Sequence, residues 1–121
     1  MSAVTDAMDG LRTALGGVEG VRLYRDYSAS MDPPALTLGP PDVTWDAVCA
    51  APTSATVVAY LIVKADDRAV DRLVSLLEEV TDAVEATRFA VVTEAIAGTF
   101  PQGGADLPAY QITIETALNR S

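Results

Sequence analysis

Carboxylates are the commonest ionisable side chains in this sequence. They outnumber lysine and arginine by 17 to 8 and leave a net charge of −9. Close pairs occur at Asp66 with Asp67, Glu78 with Glu79, and Asp82 with Glu85. Such pairs can divide general-acid and general-base work when a pocket and a neighbour push their pKa values apart. The last two pairs fall on the polar face of one helical stretch, where acids usually solvate, and no such neighbour is in view. There is no histidine and a single cysteine, Cys49. This excludes histidine-based catalysis, the common zinc sites and internal disulfides. Cys49 lies in the alanine-rich stretch 47–51 without basic neighbours, so it reads as a small buried residue rather than a nucleophile. Thr53 and Ser54 have no base beside them. Lys64 and Asp66 suggest an ion pair at a strand end, a weak contribution. Gly98, Gly103 and Gly104 lack the lysine and the following helix of a phosphate-binding loop. Arg22, Tyr24, Arg25 and Tyr27 interleave basic and aromatic groups, but they are few, and Glu19 and Asp26 cancel much of the charge. The residues thus point away from an enzyme and call for no cofactor.

The acid excess itself has three readings. The simplest is solubility; the others are a surface that lies near nucleic acid without adhering, and mimicry of DNA.

The elements that would position these groups are more legible. From Asp67 to Glu85 the apolar residues Val70, Leu73, Val74, Leu77, Val80 and Val84 recur within roughly one third of a helical circumference. Asp66 is placed to cap that helix, and Asp67 suits the positive end of its dipole. Val57–Val63 is an almost unbroken apolar run, as an interior strand would be. Residues 89–96 are β-rich, interrupted by Thr93 and Glu94. Tyr110, Ile112, Ile114 and Leu118 alternate with Gln111, Thr113 and Glu115, a strand with one face covered. Residues 2–15 carry Val4, Met8, Leu11 and Leu15 at helical spacing, with Gly16 and Gly17 as the stop. Residues 21–24 make a short strand.

Two stretches read as irregular. Five of the seven prolines lie between residues 28 and 53. Ala35–Leu38, between two proline pairs, reads as a short edge strand. Trp45 reads as a core anchor under this segment or as an exposed partner contact. Residues 97–108 read as a long connection between neighbouring strands, with Phe100 and Leu107 too apolar for a merely solvated loop. The expected fold is one α+β domain over residues 1–121: a single, mainly antiparallel sheet of about four to five strands with two helices packed on one face. No apolar run approaches the roughly 20 residues of a membrane helix, and the first residues lack the pattern of a secretory signal. An intracellular place of assembly is therefore expected.

The ordered strings carry a resemblance. Pro34-Ala-Leu-Thr-Leu-Gly-Pro-Pro41 is followed by Trp45-Asp46 and by Pro52-Thr-Ser-Ala-Thr56. Then come the helix with Asp66-Asp67-Arg68-Ala69, the string Gly98-Thr-Phe-Pro101, and Gly103-Gly104-Ala105-Asp106-Leu107-Pro108-Ala109-Tyr110. In order and spacing, over nearly the whole chain, this resembles the tail terminator proteins of long, non-contractile-tailed bacteriophages, particularly those of actinobacteria. The alanine-rich stretch around Cys49 fits that pattern least. The resemblance implies a non-enzymatic virion protein, assembled in the host cytoplasm and placed in the neck at the top of the tail. Copies would form a homo-hexameric ring on the tail tube protein, end its polymerisation, and offer a surface to a head–neck connector or stopper protein. DNA would pass through the ring without sequence-specific binding, and no membrane would be involved. The expected interface residues are Trp45, Phe100, Pro101, Leu107, Gln111, Thr113 and Glu115. The first four carry tube and neighbour contacts from the two irregular segments; the last three face the channel, a neighbour, or solvent. The competing readings are another neck component, a ferredoxin-like ligand-binding module and, last, a carboxylate enzyme.

Overall fold

The amphipathic stripes and the alternating strand pattern meet in a two-layer arrangement. The structure is a computed structural model and describes residues 3–24, 31–45, 52–102 and 104–118. Cys49, Arg25, Tyr27 and the stretch 47–51 lie outside the described residues. The elements run α1 (Ala3–Gly16), β1 (Arg22–Tyr24), β2 (Ala35–Leu38), β3 (Asp42–Trp45), β4 (Pro52–Ile62), α2 (Ala69–Ala86), β5 (Ala90–Gln102) and β6 (Ala105–Ala117). All six strands form one sheet in the order β1-β2-β4-β6-β5, with β3 paired to β4 beside β2. The expected α+β class is present, with one strand more than the upper expectation. The sheet is mixed, since β1 and β2 run parallel. The element order is not the βαββαβ of a ferredoxin-like domain. Instead β4, α2 and β5 make a crossover with β6 inserted between two parallel strands.

Both helices cover the same sheet face. Met8, Leu11 and Leu15 of α1 and Leu73, Leu76, Val80 and Val84 of α2 share one core with Leu36, Val57, Ala59, Leu61, Ile112 and Ile114. Burying each leucine, isoleucine, valine or methionine among them stabilises the fold by about 1.5–3 kcal/mol. The alternation in β6 behaves as its pattern predicts: Ile112 and Ile114 are buried while Gln111 and Glu115 are exposed. Gly10 lets the layers close, because a Cβ there would lie 2.8 Å from the Phe89 ring.

Four expectations need correction. First, residues 97–108 are not a long connection. They are the distal half of a β5–β6 hairpin whose pairing runs unbroken from Ile96↔Gln111 to Gln102↔Ala105. Gly104 supplies the turn with φ 84, a conformation glycine adopts without a Cβ penalty. Second, Ala35–Leu38 is not at an edge. It is buried at every position between β1 and β4, and the proline pairs lie just outside its ladder. Third, the buried arc of α2 is rotated from the expected stripe. Ala69 and Leu76 are buried, whereas Val70 is 73% exposed and Val74 43%. Fourth, Asp66 pairs with Arg72 rather than Lys64.

Asp66 also acts one step before the helix. Its carboxylate accepts the Arg68 N–H at 2.9 Å, and its carbonyl accepts the Ala69 N–H. This is an Asx-type turn that aims the chain into α2 rather than a cap on the helix itself. At the other end Arg88 stands at φ 70, in the left-handed region, and its N–H bonds the Glu85 carbonyl to close the last turn.

Candidate functional site

With both helices on one side, no described helix covers the other sheet face, called the uncovered face below, and cross-strand register identifies its occupants. Directly paired residues share a face. Tyr60, Gln111 and Ile96 form one row; Val58, Thr113 and Glu94 the next; Thr56, Glu115 and Val91 the third. Asp42 of β3 extends the third row from the other side of β4. A bulge at Thr93 preserves this phase, shifting register between Val92 and Glu94. Across β3 to β6 the uncovered face therefore carries Asp42, Glu94 and Glu115 and, among the described residues, neither lysine nor arginine. At the β1 end Arg22 lies on the same face, and Asp32 pairs with it at 3.0 Å.

One end of this face is not open. Met31, Ala35, Ile62 and Ala109 form a second, smaller buried cluster, with Tyr24, Tyr60, Phe100 and Leu107 packed around it. Phe100 and Leu107 sit opposite each other in the hairpin, and the Phe100 ring lies 5.3 Å from Tyr60, tilted by 56°. The apolar residues of the supposed loop thus fold back onto their own domain. The hydroxyl of Thr37, fully buried, donates to the Tyr24 carbonyl, so this cluster contains no orphaned hydroxyl there.

The expected interface residues therefore separate into groups. Gln111, Thr113 and Glu115 lie together at the middle of the uncovered face. Trp45 stands apart at the end of β3, and at 54% exposed it is no core anchor. Phe100 and Leu107 belong to the small cluster, and Pro101 is exposed near the hairpin tip opposite Asp106. Sequence reasoning missed Val91 and Ile96, each half exposed, and the exposed Val70 and Val74. The strand alternation before the bulge, and a helix stripe wider than one contact needs, were the available signals.

Nothing among the described residues gathers the acids for chemistry. No three of His, Cys, Asp or Glu come close enough there to hold a metal ion. Glu78, Glu79, Asp82 and Glu85 are exposed on α2. A cleft of about 470 Å³ between the start of α1 and the end of β6 is lined by Ala3, Asp6, Ala7, Phe89, Ala117 and Leu118, so Asp6 is its one described carboxylate. The Arg68 N–H, then the Arg72 guanidinium, hold the Asp66 carboxyl below the usual range. Among the described residues no helix is long and apolar enough to cross a membrane. No family model matches the chain, and no curated protein matches it.

Proposed function

We propose that this chain is a structural subunit of the tail-terminator kind, acting by shape without making or breaking a bond. In this reading copies close into a hexameric ring on the end of a tail tube. One rim stops further addition of tube protein, and the other receives a head–neck connector or stopper protein. A head-to-tail contact between copies closes at a fixed number instead of growing as a filament. The protein resides in the virion, in the neck.

The observation that supports this best is the uncovered sheet face, with Asp42, Glu94 and Glu115 and no cation on β3 to β6. Turned toward the bore, such a face lets DNA pass without the counterion-release attraction that lysine and arginine create. The ordered strings in the sequence add the family resemblance. The test is particle assembly without the protein. Tubes of uncontrolled length without heads are expected, and purified protein should restore regular tails. Regular, head-bearing tails in its absence would end the reading.

A further inference from the structure

The β5–β6 hairpin outruns the sheet that carries it. β4 makes its last pair with β6 at Ile62↔Ala109, and one further bond runs from the Val63 N–H to the Pro108 carbonyl. From Thr99↔Pro108 to Gln102↔Ala105 the two strands pair only with each other among the described residues. A two-stranded ribbon without further support is marginal in water. Because the Pro108 carbonyl points toward β4, antiparallel alternation makes Thr99↔Pro108 and Pro101↔Asp106 non-hydrogen-bonded pairs of the hairpin. Both prolines therefore stand where the hairpin loses no ladder donor. Its bonds fall on Phe100↔Leu107 and Gln102↔Ala105, beyond Gly98↔Ala109 at the base. No described side chain among residues 99–108 is fully buried. What seats this part of the hairpin is Phe100 and Leu107, packed against the small cluster of Met31, Ala35, Ile62 and Ala109, with the Phe100 ring 5.3 Å from Tyr60. Met31 has a fastening of its own next door: Asp32 donates its N–H to the Tyr24 hydroxyl at 3.0 Å, and its carboxylate accepts from Arg22 at 3.0 Å.

We propose that residues 99–102 and 105–108 form an arm that lifts from the domain as one unit, hinged at Gly98 and Ala109 and latched by Phe100 and Leu107. Local opening of this kind occurs where few buried apolar contacts and solvent-exposed backbone bonds coincide, and the arm combines both. Its ladder is internal to it, so it moves without breaking its own bonds. Gly98 weakens the strand at the hinge, since a glycine there adds backbone freedom and no packing. Its backbone lies outside the left-handed region, and a Cβ on it would meet nothing within 4 Å, so neither turn geometry nor crowding demands a glycine. Closed, the arm covers the small cluster. Open, it bares Ile62 and Ala109 and carries Phe100 and Leu107 outward, so two apolar surfaces become available together. Met31 stays in place, because its neighbour is fastened to β1 and not to the arm. The opening needs neither a second copy nor a partner, and so it does not depend on the tail-terminator reading.

The experiment is amide hydrogen exchange on the full chain, read residue by residue by NMR. In wild type the bonded amides of Phe100, Gln102, Ala105 and Leu107 should share one protection factor, more than about tenfold below those of Ile112 and Ile114. Phe100→Ala should lower protection at Gln102, Ala105 and Leu107 together by about tenfold, the worth of one aromatic contact. Ile112 and Ile114 should keep theirs, which reports an intact fold in the same measurement. Gly98→Val stiffens the hinge and should raise protection of the arm amides by roughly two- to fivefold. Protection that falls stepwise toward the turn, with Gln102 and Ala105 open and Phe100 and Leu107 as slow as Ile112, would mean fraying and overturn the proposal. So would arm amides that exchange no faster than Ile112 and Ile114, or a Phe100→Ala effect that spreads equally to those two. Arm protection unchanged by Gly98→Val would overturn the hinge.

Discussion

At the scale of single residues, Asp66 shows how a local acid contributes to a turn without forming a site. Its carboxylate takes one backbone N–H and one guanidinium, and both favour the charged form. A carboxyl whose folded pKa is depressed contributes stability that is fully present above its unfolded value, about 3.9. That contribution is lost as pH falls through the lowered folded value. Asp66→Asn should therefore lower the melting temperature at neutral pH and make no difference once both proteins are below that range. Melting curves of the two proteins from pH 7 to pH 2 check this. A gap that persists unchanged at pH 2 would mean the side chain acts by packing instead. The group is exposed, so the effect is a small one. Lys64, two residues before it, was the partner the sequence suggested, but α2 delivers Arg72 to the carboxylate because helix geometry brings a residue from the first turn back over the preceding bend.

At the scale of elements, α2 separates what periodicity can and cannot reveal. The spacing of Val70, Leu73, Val74, Leu77, Val80 and Val84 identifies a helix and an apolar stripe. It leaves open which part of the stripe the sheet covers, because that depends on the sheet's position beneath. In the folded chain Leu73, Val80 and Val84 are buried, and Val70 and Val74 are not. Leu73→Ala should accordingly cost about 2–5 kcal/mol, as truncations in a packed core do. Val70→Lys should stay within about 0.5 kcal/mol of wild type, as surface changes do. Urea denaturation midpoints measure both, and similar losses at the two positions would place the helix rotation in error. The strands teach a related lesson. β4 and β6 were legible because Val57–Val63 and Tyr110–Leu118 carry their own burial pattern. The distal hairpin was not, since Gly98, Pro101, Gly104 and Pro108 are local turn signals. They are overridden by pairing partners and by the contact of Phe100 with Tyr60, some forty residues away in sequence. β2 was misplaced for the same reason: its prolines sit at its ends, while β1, which covers its outer side, arrives from earlier in the chain. Of the candidate interface, Gln111, Thr113 and Glu115 could be read from alternation alone. Val91 and Ile96 required the register across the Thr93 bulge.

At the scale of the whole molecule the net charge of −9 acquires a direction. Composition speaks of solubility, but the fold distributes the charge by face. Helix acids such as Glu78 and Glu79 point to solvent on the covered side, while Glu94, Glu115 and Asp42 mark the sheet side. If the sheet side borders DNA in a ring, the sign of those residues matters more than their identity. Glu94→Lys combined with Glu115→Lys changes the local charge by four and creates a basic patch on a face with no other cation on β3 to β6. Glu94 and Glu115 are exposed, so folding should be unaffected. Retention of duplex DNA on the purified variant should become measurable at low salt and fade steeply as salt rises, as phosphate contacts do. In assembled particles the same variant should form tails of regular length that join heads but deliver DNA poorly. Substituting glutamine for both acids should leave DNA delivery near wild type, because it adds no cation. If the double lysine variant delivers DNA as wild type does, the sheet side does not border the DNA path. Regular tails in that same experiment would still show that the ring formed, which separates the orientation of the subunit from its capacity to assemble.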